Sequence, residues 1–181
     1  MSKMYVIKRD GRKEDVFFDK ITQRVTNMCW DLNMDFVDPV QISQKVVQGL
    51  YAGVTTEELD KLAAETAASY ATRHPDFNKL AARIEISNLQ KKTTSSFSKL
   101  AKELVTYIHP ITNEPAPLLS EKVCGIIQEN AERIDQAIDY DRDFDLDYFG
   151  FMTLCKSYLL RMHDQIAERP QHMFMRVALG I

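Results

Sequence analysis

The chain has 181 residues, with 23 Lys and Arg against 26 Asp and Glu, and a formal net charge of −3. This balance gives no general case for binding nucleic acid or a membrane surface, and no stretch approaches the ~20 apolar residues of a membrane-spanning helix. A hydrophobic content of 45% suffices for the core of one large domain or two small ones. Cations are nevertheless concentrated at the start, since residues 1–24 hold seven Lys or Arg and four Asp or Glu. Such a local excess suits a small anion better than a DNA groove.

The first predicted element is a β-hairpin. Two β-like runs, residues 4–7 and 15–18, flank a turn centred on Asp10-Gly11, and Asp-Gly is a strong hairpin signal. Asp19 is predicted to cap a helix that begins at Lys20. Cations therefore gather at a strand end, in a turn and at a helix N-terminus, whose N–H groups favour phosphate. On charge alone, a solvated basic hairpin is an equally good interpretation.

Four helical patterns follow the hairpin, each with apolar residues at helical spacing. Asp19 precedes the first and Asp38-Pro39 opens the second. The run Thr55–Glu58 predicts a capping box for the third. His74-Pro75-Asp76 precedes the fourth, which should end near Lys91-Lys92. The predicted fold is mainly α (α+β), a small β-hairpin cap on a four-helix bundle.

Residues 93–181 form a less self-contained region. The polar run 93–98 leads into apolar residues, which allows the fourth helix to continue. Residues 109–117 hold three prolines and predict a loop, and further helices are expected over about 118–130 and 148–159. The apolar segment 173–181 stops without a cap or polar tail, so we expect a fragment of a longer subunit.

The three cysteines, Cys29, Cys124 and Cys155, are far apart and form no Cys-x-x-Cys pair. This pattern is typical of free thiols in a reducing compartment. The first residues also lack the apolar segment of a secretory signal. We therefore expect a cytoplasmic protein.

An alternation of aspartates from Asp139 to Asp147 suggests a calcium loop at first sight. An EF-hand requires Gly at loop position 6 and Glu at position 12, and neither possible register provides them. The predicted structure is a solvated acidic edge, and no metal site is predicted.

The order of residues in the hairpin resembles the opening of the ATP-cone, the regulatory nucleotide-binding module of ribonucleotide reductase large subunits. Later motifs resemble the start of the same subunit in its eukaryotic class I form. The matching segments are Val6–Glu14, Phe18–Ile21, Leu50–Asp60, Leu80–Leu89, Asp141–Phe144, Tyr148–Phe151 and Glu168–Met173.

The resemblance implies that residues 1–92 are an ATP-cone domain and that residues 93–181 are the N-terminal helical region of the large subunit, truncated before the catalytic barrel. It further implies that ATP activates and dATP inhibits the reduction of ribonucleoside diphosphates to deoxyribonucleotides. The intact protein would be an oxidoreductase, whereas this segment would hold no catalytic residue. The implied partners are other large-subunit copies, in dimers and nucleotide-induced higher oligomers, and the small radical-generating subunit; neither a membrane nor nucleic acid is implied.

The resemblance also implies an allosteric site for ATP or dATP, with Mg²⁺ as an expected companion. Lys8, Arg9 and Lys91 would neutralise the triphosphate, and Glu14 would accept from the adenine amino group. Asp60 would act near the ribose. The full implied set is Lys8, Arg9, Glu14, Asp15, Val16, Phe17, Phe18, Asp19, Lys20, Thr56, Asp60 and Lys91.

Two other classes of protein fit parts of the sequence. A stand-alone ATP-cone sensor without catalytic activity, such as a bacterial repressor of reductase genes, would carry a zinc ribbon of paired cysteines before the cone. No cysteine precedes residue 4. A helical interaction protein without a ligand would show no thermal shift with ATP.

Overall fold

The computed structural model describes residues 4–180, which form two compact units. The first unit runs to Asn88 and also includes Leu146–Phe149, and the second comprises Leu89–Asp145 and the residues from Gly150 onward. Among the described residues, no helix combines the length and apolarity needed to cross a membrane.

A small sheet opens the first unit. Strand β1 (Tyr5–Ile7) pairs antiparallel with β2 (Lys13–Asp15), with Tyr5 opposite Asp15. Strand β3 (Val54–Thr55) pairs parallel with β1, with Ile7 opposite Thr55. The hairpin is confirmed, but its second strand lies at 13–15 and not at 15–18. Strand β3 was not predicted because a two-residue parallel strand leaves no periodic signal in the sequence.

The turn of the hairpin depends on Gly11. Its φ is +81°, a left-handed conformation that glycine adopts without steric cost. The Gly11 N–H donates to the Lys8 carbonyl at 2.9 Å, and the Lys8 N–H donates to the Arg12 carbonyl at 2.8 Å. These bonds fix the course of the backbone around Lys8 and Arg9.

Four helices complete the first unit: α1 (Phe18–Thr26), α2 (Pro39–Gln48), α3 (Thr56–Ser69) and α4 (Asp76–Gln90). The predicted starts of α2 and α3 are confirmed, and a side chain caps each of them. Asp38 accepts from the Val40 N–H, and Thr55 and Glu58 form a capping box. The predicted cap of α1 is wrong: Phe17 is the N-cap residue, with no side-chain cap bond, and Asp19 lies in the first turn.

The helices of the first unit pack around an apolar core. Buried side chains come from all four helices, with Val25 from α1, and the α1–α2 connection contributes Leu32 and Val37. The α3 face is lined by the small residues Ala63, Ala64 and Ala67, so neighbouring helices can approach closely. This bundle supports the sheet and the start of α3.

The remaining elements follow the turn after α4. They are α5 (Phe97–Val105), α6 (Glu121–Glu129), α7 (Ala131–Ala137), a 3-10 helix (Tyr140–Asp145), α8 (Tyr148–Ser157), β4 (Arg161–Met162), β5 (Gln165–Ile166) and α9 (Pro170–Gly180). The fourth helix does not continue into residues 93–98, because Ser96 caps a new helix by accepting from the Lys99 N–H. Helix α7 and the β4–β5 hairpin were not predicted.

The aspartate-rich segment is not a solvated edge throughout. Asp143 is completely buried and accepts from the Gln90 side chain at 3.1 Å and the Gln171 N–H at 3.2 Å. Burial raises the pKa of this carboxyl group. The 3-10 helix turns Asp143 inward, a direction that strict alternation does not reveal.

Candidate anion-binding site

Parallel pairing of β1 and β3 positions the candidate site. Since Ile7 lies opposite Thr55, Lys8 and Thr56 both follow the carboxyl end of their strand at the same edge of the sheet. Thr56 is also the first residue of α3, where unpaired N–H groups and the helix dipole favour anions. The fold therefore brings the two predicted segments, around residues 8 and 56, to one edge.

Glu14 lies between two lysines, and we call these three residues the Glu14 cluster. Its carboxylate is 3.3 Å from the Lys8 Nζ and also pairs with the Lys20 ammonium. Hydrogen bonding to Lys20, followed by that to Lys8, lowers the pKa of Glu14. Lys20 also lies over the Phe17 ring, 5.1 Å from its centroid. Strand β2 and the first turn of α1 thus converge on Lys8.

Asp60 is the centre of a second group, the Asp60 cluster of Arg9, Arg24, Asp60 and Asn88. The Asp60 side chain is only 7% exposed. Arg9 Nη2 donates to Asp60 at 3.1 Å and to the Asn88 side-chain oxygen at 2.6 Å. Arg24 donates to Asp60 from Nε at 3.0 Å and from Nη2 at 3.3 Å. A buried carboxylate is therefore held between two guanidinium groups.

Arg24 and Asn88 were missing from the predicted set. Arg24 lies four residues after Lys20 on α1, and residues four apart share a helix face. That spacing was the available signal for Arg24. Asn88 lies near the end of α4, and its contact with Arg9 has no local signature in the sequence.

The other predicted residues occupy three places. Asp15 ends β2, and Val16 and Phe17 lead into α1. Phe18 and Asp19 belong to the first turn of α1 and are exposed. Lys91 is exposed in the turn that follows α4, within the second unit.

The two clusters contain four cations and two carboxylates, so they carry an excess of two positive charges. Lys and Arg beside backbone N–H groups are the donors that proteins use for phosphate. Among the residues that the structure describes, no group of three or more His, Cys, Asp or Glu is arranged to hold a metal ion. The arrangement can bind and orient an anion.

Comparison with known protein families agrees with this geometry. Residues 4–92 match the ATP cone domain, and residues 144–181 match the all-alpha domain of ribonucleotide reductase. The first unit therefore matches a regulatory ATP cone domain, and the end of the second unit matches part of a reductase.

Individual relatives extend the match to nearly the whole chain. It is 56% identical over 178 residues to the ribonucleoside-diphosphate reductase large chain of Schizosaccharomyces pombe and 57% identical over 177 residues to the large subunit of Caenorhabditis elegans. Each alignment covers 98% of this chain and 22% of the relative. The chain belongs to the ribonucleotide reductase large-subunit family, and it spans about a fifth of the length of these curated relatives.

Proposed function

We propose that the first unit binds ATP or dATP as an allosteric effector and thereby sets the overall activity of a reductase large chain. This proposal rests on one observation: Lys8 and Arg9 lie at the same edge of the sheet as the N-terminus of α3. The match to the ATP cone domain supports a nucleotide as the anion.

The phosphates would be bound by Lys8, Arg9, Lys20 and the first turn of α3. Lys8 and Lys20 are held by Glu14, which keeps their ammonium groups near each other before any anion arrives. The Thr56 N–H and hydroxyl can contribute hydrogen bonds to phosphate or sugar. Mg²⁺ would accompany the triphosphate, since this ion typically binds nucleotides through phosphate oxygens and water. Lys91 remains a proposed further cation for the triphosphate.

The base would lie along the segment from Glu14 to Asp19. Glu14 can accept from the adenine amino group, and the backbone of residues 15–19 can frame the base edge. Phe17 is 51% exposed and offers an aromatic ring within this segment. Asp60 would act on the ribose side, through the arginines that it holds.

The broader proposal concerns a complete large chain. In it, ATP at this site would permit the reduction of ribonucleoside diphosphates, and dATP would inhibit it. Residues 1–92 would form the effector domain, and residues 93–181 the helical region before a catalytic barrel. Other large-subunit copies and a small radical-generating subunit would be the partners, in the cytoplasm.

Hydrogen exchange tests the location of the site. ATP should slow amide exchange in residues 5–20 and 54–60, because the phosphates and base engage the backbone there. Residues 121–137 in α6 and α7 serve as the internal reference and should be unaffected. Protection restricted to the reference, or no protection under saturating ATP, would contradict the proposed site.

A further inference from the structure

We propose that Arg24 is a positioning residue for the nucleotide effector: it keeps Asp60 paired so that Arg9 can leave that carboxylate and bind phosphate. This inference rests on the proposed function and deepens it. It assigns a role to a residue outside the set that the family resemblance implies.

The two arginines hold Asp60 unequally. Arg24 donates to both carboxylate oxygens, from Nε at 3.0 Å and from Nη2 at 3.3 Å. Arg9 donates to one oxygen from a single nitrogen, at 3.1 Å. Two-nitrogen Arg–carboxylate pairs are the more strongly held and the more directional. Arg9 is therefore the partner that Asp60 can exchange.

The backbone positions of the two arginines support the same conclusion, that Arg9 is the exchangeable partner. Arg24 lies within α1, and its Nη2 also donates to the Ser87 hydroxyl of α4 at 3.1 Å. Arg9 lies in the hairpin turn, and its second contact is the neutral side-chain oxygen of Asn88. A turn can shift more easily than a packed helix. Arg9 can thus move toward an anion at the sheet edge while Arg24 stays in place.

Burial explains why a second arginine is needed. The Asp60 side chain is 7% exposed, and a buried carboxylate that loses its counter-charge is strongly destabilised. If Arg9 were the only cation paired with Asp60, every phosphate contact made by Arg9 would leave the Asp60 carboxylate buried without a counter-charge. With Arg24 in place, Asp60 keeps a charged partner in both states. Arg24 therefore lowers the free-energy cost of recruiting Arg9.

This role predicts a particular pattern in a double-mutant cycle. Arg24→Met should bind ATP at least ten-fold more weakly, about the loss of one charge-assisted hydrogen bond, because Arg9 is then retained by Asp60. Adding Asp60→Asn removes the carboxylate that retains Arg9. The double variant should therefore recover to within about three-fold of Asp60→Asn alone. If Arg24 only stabilised the fold, the second substitution would give no recovery.

The experiment is calorimetric titration of ATP into the 181-residue chain and its variants, with folding checked by circular dichroism. Arg73→Met is the matched control, since Arg73 is exposed and stacks on Tyr70, 4.2 Å from the ring centroid; its affinity should equal that of the wild type. If Arg24→Met does not fold, the same cycle with Arg24→Lys decides the question, because lysine retains the charge but cannot make the two-nitrogen contact.

Recovery in the double variant supports the positioning role. A wild-type affinity in Arg24→Met, or a folded double variant as weak as the single one, overturns this role while leaving the nucleotide site intact. A folded wild-type chain that does not bind ATP overturns both the inference and the proposed function.

Discussion

The Arg9 guanidinium donates to the Asp60 carboxylate at 3.1 Å, and this contact joins the turn after β1 to the second turn of α3. The family resemblance implied that both residues lie at a nucleotide, with Asp60 near the ribose. In the structure Asp60 is neutralised by two arginines. Its influence on an effector therefore passes through cations that can themselves bind phosphate.

Asp60→Asn should change the response to nucleotide more than it changes affinity. The amide keeps the volume of the side chain but no longer holds Arg9 by charge. In a complete reductase chain we expect that dATP still binds but no longer inhibits. The loss of the Arg9–Asp60 ion pair can erase an allosteric coupling of ~1–3 kcal/mol. Activity assays run beside direct dATP binding measure this. Full inhibition by dATP in the variant would contradict the prediction.

Lys8→Ala should weaken ATP and dATP by similar factors, about ten-fold or more for one charge-assisted contact. The two ligands share the same triphosphate, so a phosphate-binding cation cannot discriminate between them. The same result is expected for Lys91→Ala. Lys61→Ala is the control, because Lys61 is exposed and pairs with Glu65 within α3 at 3.9 Å. Unchanged affinity in either test variant would remove that residue from the site.

Glu14→Gln should act in opposite directions on ATP and on inorganic tripolyphosphate. The substitution removes the carboxylate shared by Lys8 and Lys20, so tripolyphosphate should bind more tightly. ATP should bind more weakly, because the neutral amide oxygen accepts a weaker hydrogen bond from the adenine amino group than the carboxylate does. Competition titrations with ATP and with tripolyphosphate measure the direction of each change in affinity. If the affinities for both ligands changed in the same direction, Glu14 would not contact the base.

Gly11→Val should impair nucleotide binding while most helical circular dichroism persists. A Cβ at Gly11 meets no atom within 4 Å, so the damage arises from φ of +81° and not from a clash. A β-branched residue tolerates that conformation poorly, at a cost of about 1–3 kcal/mol. Gly11→Asn is the matched variant, since asparagine accepts positive φ. Joint loss of helix and binding in Gly11→Val alone would show that the bundle requires the hairpin.

His172 should make the second unit less stable in mild acid. Burial lowers the pKa of His172 from 6.5 to about 4. The Arg169 N–H donates to its Nδ1 at 3.3 Å, and Tyr140, bonded to Nε2 at 2.8 Å, donates to the Ser95 carbonyl at 2.6 Å. The neutral ring with hydrogen on Nε2 satisfies this network, whereas a proton on Nδ1 would face another donor.

The unfolded chain therefore takes up a proton near pH 6.5, which the folded chain resists. The contribution of neutral His172 to the free energy of unfolding is complete above pH 6.5. It decreases by up to roughly 3 kcal/mol as the pH falls toward about 4. Urea unfolding of the wild type and of His172→Gln across this range isolates the contribution. An equal pH dependence in the two proteins would contradict the assignment.

Local signals predicted much of the fold. Asp10-Gly11 identified the hairpin, while Asp38-Pro39 and the capping box at Thr55 identified the starts of α2 and α3. Helix α1 begins earlier than predicted, at Phe18, and its N-cap residue Phe17 makes no side-chain cap bond. These successes depend on interactions between residues that are near each other in the sequence.

Features that depend on distant residues were missed. Strand β3 pairs with β1 across 48 positions, from Val6 to Val54, and the Arg24–Asp60 contact spans 36 positions. The burial of Asp143 likewise depends on Gln171, 28 positions away. Neither periodicity nor spacing encodes such pairs, since they arise only when the elements pack together.

Calorimetric titration of the 181-residue chain with ATP and with dATP tests the central claim most directly. We expect saturable binding of both nucleotides at one site per chain, with Arg9→Ala weakening both by about ten-fold or more. The triphosphate is common to both ligands, so neither should fail to bind. A folded chain that releases no binding heat and shows no thermal shift with either nucleotide at millimolar concentration would contradict the account.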